Sequence, residues 1–168
     1  MTLPAVLASR LTVPVLLFLL AAPVQGQQST RLPSVALIGG LGNVLGGLGA
    51  GLEYFVAGSH VSASAGFGYW PSDLCAGTAS GAGAVRAFFG GRHRGFVEAS
   101  YSLLAISCDF SLPAQNDHHY GPGISAGYRY TGSDGFTFTA GVGVGDPSGN
   151  ESGAETMILI GAGYTWRR

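Results

Sequence analysis

Gly135-Phe-Thr-Phe-Thr-Ala-Gly-Val-Gly-Val-Gly145, then Asp146-Pro-Ser-Gly-Asn-Glu-Ser-Gly-Ala154, then Glu155-Thr-Met-Ile-Leu-Ile-Gly-Ala-Gly-Tyr-Thr-Trp166, is the stretch that decides the fold. In its first arm Phe136, Phe138, Ala140, Val142 and Val144 share one face, and Thr137, Thr139, Gly141, Gly143 and Gly145 share the other. Alternation with period 2 marks a β-strand with one apolar and one small or polar face. The second arm puts Ile158, Ile160, Ala162, Tyr164 and Trp166 on one face; its other face, with Met157, Leu159, Gly161, Gly163 and Thr165, turns small and polar only toward the end. The connector is polar and rich in Gly, Pro, Ser and Asn, so the arms read as a hairpin with a long loop.

Working outward, the same unit recurs upstream. Strands are expected at about 34–41, 46–57, 61–70, 81–89, 96–106 and 120–130, ahead of the two in the hairpin. The first pair is joined by a short glycine-rich connection. Gly58-Ser-His60, Gly90 to Gly95 and Thr131 to Gly135 are turns; Pro71–Ser80, Ser107–His119 and 146–154 are longer loops. Eight strands with alternating short and long connections describe an all-β, eight-stranded antiparallel up-and-down transmembrane β-barrel. Strands of this length match the roughly 9–11 residues that a tilted strand needs to cross a bilayer.

Composition points the same way. Charged residues are 10% of the chain, against about 25% in a typical soluble domain. Glycine is 29 of 168 residues, lysine is absent, and mean hydropathy is positive. A net charge of −1 gives no basic footprint for nucleic acid. At the N-terminus, Arg10 precedes the apolar run Leu11–Leu20 and a small-residue stretch ending at Gly26. This is a cleavable secretory signal peptide over 1–26. A short leader over 27–33 and a barrel over 34–168 follow.

The charges divide by position. Glu53, Arg86, Glu98 and Arg129 lie mid-strand on the small-residue face, two acids and two bases. In the narrow interior of an eight-stranded barrel they are expected to neutralise one another, because an unpaired buried charge is costly. Asp73, Asp109, Asp117, Asp146, Glu151 and Glu155 gather at the long-loop end, a candidate surface for a partner or for divalent cations that bridge to lipopolysaccharide. Arg31, Arg92, Arg94, Arg167 and Arg168 gather at the short-turn end, with Asp134 the one acid there. Tyr54, Phe89, Tyr128, Tyr130, Phe136, Tyr164 and Trp166 read as an interfacial aromatic girdle near that same end. Cys75 and Cys108 fall in two long loops at one end of an exported protein, where a disulfide between them is expected.

The pattern resembles the small eight-stranded outer-membrane barrels of the OmpA/OmpX transmembrane type, described as outer membrane protein beta-barrel domains. It does so over essentially the whole exported chain, in strand number, connection lengths and paired interior charges. The Glu53-Arg86-Glu98-Arg129 set looks like the internal ion network of such barrels. One departure is the ending Trp166-Arg167-Arg168, where the family commonly ends on an aromatic residue. The resemblance implies a place in the cell outer membrane, in contact with its lipid and lipopolysaccharide.

No catalytic constellation stands out. His60-Val61-Ser62 is the nearest approach to a hydrolase pair but sits at the turn end. Asp117-His118-His119 lacks further metal-ligand spacing. The glycine run at 39–51 lacks the context and the lysine of a phosphate loop. The expectation is therefore a non-enzymatic barrel, structural or surface-interacting, without cofactor and plugged by the interior ions. The competing readings are a narrow pore, a lipid A-modifying barrel enzyme and a secreted soluble barrel.

Overall fold

A computed structural model of the chain describes residues 33–56, 60–71, 77–109, 115–147 and 153–167. Its strands are β1 (Pro33–Gly42), β2 (Gly47–Val56), β3 (Val61–Trp70), β4 (Thr78–Gly90), β5 (His93–Asp109), β6 (Gln115–Thr131), β7 (Phe136–Gly145) and β8 (Glu155–Arg167). Each pairs antiparallel with its sequence neighbour, and β8 returns to β1, so the sheet closes into a barrel in the order β1 to β8. The closing seam runs from Pro33 opposite Arg167 to Gly42 opposite Leu159. Closure leaves no sheet edge in the wall.

Period 2 decides what each face meets. Leu37, Leu52, Phe67, Val85, Val97, Ile124, Val142 and Ile160, one from each strand, are exposed on the outside. Their strand neighbours point inward: glycine and alanine, aliphatic Ile38 and Leu159, Phe96, and the polar or charged Glu53, Arg86, Glu98 and Ser125. Among the described residues no Asp, Glu or Arg lies on the outer wall between the two rims. The girdle residues Tyr54, Phe89, Tyr128, Phe136, Tyr164 and Trp166 are exposed near the turn end, with Tyr164 packed edge-on against Trp166 at 5.1 Å. Tyr130 is half-buried, its ring tilted against that of His93 with centroids 5.1 Å apart.

The structure corrects three expectations. β5 and β6 run on into the expected loop Ser107–His119, pairing Ala105 with His119 through to Asp109 with Gln115. Beyond the closed wall neither face lines the lumen, so the backbone ladder continues there without the alternation that marks a strand in sequence. Alternation over 96–106 puts Leu103 on the outer face with Val97, Ala99 and Tyr101, but it is 1% exposed, at a register shift between Leu103 and Ala105. A bulge of this kind re-aims the side chains around it. β4 begins at Thr78, inside the expected loop Pro71–Ser80. The short glycine-rich first connection holds a turn of 3-10 helix, Asn43–Leu45, whose three residues are all buried. The proposed signal peptide, the leader up to residue 32, Cys75 and the Cys108 side chain lie outside the described residues.

Closure at the β1–β8 seam makes a covalent test. In a chain with Cys75 and Cys108 replaced by Ser, cysteines at the outward-facing partners Gly39 and Ala162 should form a disulfide on oxidation. The readout is a reduction-sensitive shift in gel mobility and the crosslinked peptide by mass spectrometry. An open sheet would yield no crosslink.

Candidate functional site: the filled lumen

Neighbouring strands bring Arg86 and Glu98 directly opposite each other, because the tight turn between β4 and β5 fixes their register. The Arg86 Nε–H donates to Glu98 Oε2, and Arg86 Nη1 lies 3.3 Å from Glu53 Oε1. From the far side of the barrel, Arg129 Nη1 donates to Glu53 Oε2 at 2.5 Å. Glu53 therefore accepts from two guanidiniums on strands it does not neighbour. Hydroxyls complete the layer. Ser62 donates to Glu53 Oε1 at 2.5 Å, Ser125 donates to Glu98 Oε1 at 2.9 Å, and Arg129 Nε donates to Thr139 Oγ1 at 2.9 Å. All four charged residues are buried, and six strands, β2 to β7, contribute to one band of hydrogen bonds. Two acids face two bases, so the band adds no net charge to the low-dielectric interior.

Toward the turn end lies a layer of rings. Phe55 on β2, Phe88 on β4 and Phe96 on β5 pack with centroids 5.7 Å and 6.0 Å apart. The arginines of the ion layer lie over them: Arg129 is 4.9 Å from the Phe88 centroid and Arg86 is 5.2 Å from that of Phe96. A cation over a ring face is attracted by the ring quadrupole, the more so when both are desolvated. Phe96 finds room because β7 opposes it with glycine: a Cβ at Gly141 would lie 3.0 Å from its ring. Below the rings, Thr137 and Thr165 share a hydrogen bond of 2.6 Å, and Arg167 Nη2 donates to Gly132 O at 2.7 Å.

Toward the loop end the lumen is filled by the 43–46 turn. Gly46 N donates to Asn43 O at 3.1 Å and closes it, and Gly46 has φ 73°, the left-handed region in which only glycine is unstrained. Asn43 spans the barrel: its Nδ2 donates to Leu103 O at 3.2 Å, and its Oδ1 accepts from Ile158 N at 3.2 Å. Ser80 Oγ donates to Gly46 O at 3.0 Å. Val44 and Leu45 pack with Ile38 and Leu159 above the ion layer. A cavity of about 10 Å³, lined in part by Leu45, Glu53 and Arg86, separates the two layers, room for about one water.

Glu53, Arg86, Glu98 and Arg129 thus meet in one place. Phe55, Phe88 and Phe96 share their face by parity, but strand alternation does not say that they meet. The 43–46 turn carries no sequence sign of entering the lumen except its flanking glycines. Ser62 faces inward and spends its hydroxyl on Glu53, away from exposed His60. His119 Nε2 lies 2.9 Å from Ser107 Oγ on the projecting β5–β6 hairpin. Among the described residues no group of three His, Cys, Asp or Glu could hold a metal ion.

Glu53 holds two cations, so its loss should cost more than that of Glu98. Glu53→Gln leaves Arg129 without a carboxylate and should lower unfolding stability by about 3–5 kcal/mol, the range for breaking a buried pair. Glu98→Gln should cost less, since Arg86 keeps Glu53. Urea titration of both variants in the same detergent checks the order.

No protein-family model matches the sequence, and no curated protein does. Among solved structures, the chain is similar to the N-terminal beta-barrel domain of Pseudomonas aeruginosa OprF. The TM-score is 0.61 at 17% identity, over 82% of this chain and 100% of that domain. In fold the chain is a small eight-stranded barrel like that OprF domain, in line with the OmpA/OmpX-type resemblance of its sequence.

Proposed function

We propose that this chain is a non-enzymatic barrel of the bacterial outer membrane, with a structural or surface-interaction role. Its lumen is blocked by Glu53, Arg86, Glu98 and Arg129. The observation that carries this reading is the inversion of polarity. The wall facing outward is apolar on every strand, while ions and hydroxyls fill the middle. A soluble barrel needs the reverse, since a monomer in water rarely exposes an apolar belt of this extent. A closed barrel satisfies every wall amide within the sheet, which is the condition for β-structure in lipid.

Export through the signal peptide over 1–26 supplies the route. The outward apolar side chains contact acyl chains, and the loop-end acids, Asp117, Asp146 and Glu155 among the described residues, face lipopolysaccharide or a surface partner. In that oxidising setting a disulfide between Cys75 and Cys108 would tie the connection after β3 to the end of β5. The ion layer, the rings below it and the turn above it favour a blocked lumen over a pore.

Three measurements test the reading. The folded protein should fractionate with outer membranes and show heat-modifiable gel mobility. Purified protein in planar bilayers should show no steady conductance, and a sustained large conductance would reject the blocked lumen. Val142, 65% exposed mid-strand on β7, should meet lipid. Val142→Arg should then destabilise the barrel in vesicles by about 2–4 kcal/mol. A soluble barrel would tolerate the same change within about 0.5 kcal/mol.

A further inference from the structure

The lumen contains a second obstruction that owes nothing to charge. We infer that the 43–46 turn is a tethered plug, which seals the loop end of the barrel independently of the ion layer, so that the lumen is closed by two seals in series, the turn and the ion layer together with the rings packed under its arginines. The inference rests on the reading of the chain as a blocked membrane barrel.

The seat of the turn is built from glycine. Gly66 on β3 touches the Val44 carbonyl so closely that a Cβ there would overlap it, and would lie 2.9 Å from Leu45 Cα. A Cβ at Gly68 would come within 2.6 Å of Leu45 O, and one at Gly51 within 3.0 Å of Leu45 Cδ2. Across the barrel, Leu45 Cδ1 reaches to 3.8 Å from a Cβ placed at Gly161 on β8. The turn thus fills the space between β2, β3 and β8 that inward side chains would otherwise take. Val44 and Leu45 are each 4% exposed.

The attachment is light compared with the layer beneath. Among the described residues, three hydrogen bonds hold the turn to the wall: two through Asn43 and one from Ser80 to Gly46 O. None involves a charge. Glycine flanks the turn on both sides, Gly42 before it and Gly46-Gly47 after it. Leu45 and Ile38 share the small cavity with Glu53 and Arg86, and Val44 and Leu159 share a second gap with Glu98 and Ser125, but the turn's hydrogen bonds to Leu103, Ile158 and Ser80 involve no residue of the ion layer. The two seals therefore have separate supports, and losing one leaves the other in place.

The experiment uses the full chain with Cys75 and Cys108 replaced by Ser and Val44→Cys as reporter, folded and inserted in vesicles. A membrane-impermeant maleimide should label Cys at 44 slowly. Asn43→Ala with Ser80→Ala removes all three tethers without adding bulk. It should raise the labelling rate roughly a hundredfold, the product of three hydrogen bonds of ordinary net worth. Gly66→Val should raise it as well, by occupying the seat; the tether variant carries the test if Gly66→Val fails to fold. In planar bilayers, release of the turn alone should leave the barrel closed, as should Glu53→Gln alone, and the combination should conduct. Unchanged labelling on loss of the tethers, or a combined variant no more conductive than Glu53→Gln, would overturn the two-seal account. A conducting parent protein would instead reject the blocked-barrel reading beneath it.

Discussion

Closure of eight strands into a ring leaves a lumen that side chains just fill, and everything inside this barrel answers to that limit. A wall with no free edge satisfies its own backbone, but whatever points inward must pack and must be neutral. The chain meets the first demand with glycine wherever something large crosses from the other side. It meets the second with two carboxylates and two guanidiniums that balance one another in charge.

The filling is ordered along the axis. An apolar turn stands over a charged layer, the charged layer lies against three phenyl rings, and the rings stand over a threonine pair. The charged layer and the rings support each other: Arg86 and Arg129 are at once ion partners of Glu53 and cations over the rings. Such coupling makes single deletions in the middle of the lumen more damaging than a pairwise count of contacts suggests, because a half-satisfied buried network is worse than none. The outer wall makes no comparable demand. Any apolar side chain of fair size serves there, and Leu, Val, Ile and aromatics are mixed on it with no evident pattern beyond the aromatic girdle.

Much of this was legible from residues alone, and the reason differs from part to part. The facing of Phe136 to Val144 and of Ile158 to Trp166 follows from a period that the backbone enforces. That Arg86 lies against Glu98 follows from a short turn placed midway between them. Where these rules lapse, so does legibility. The β5–β6 ladder continues past residue 106 because two strands already paired need no lumen and no lipid to stay paired. Leu103 turns inward at a bulge that nothing in its neighbours announces.

Strand number, antiparallel order, the polarity of the two faces and the presence of four balancing charges among small residues were determined by the sequence itself, since each depends on neighbours within a hairpin. Which inward groups touch was decided only by the tertiary structure. Glu53 reaches Arg129 over 76 residues of sequence, Phe96 lodges against Gly141, and Asn43 ties β5 to β8, all because the ring closes with one stagger. Alternation assigns a side chain to a face, but depth along the axis and the identity of the residue across the lumen depend on the shear of the closed sheet, which no local stretch encodes.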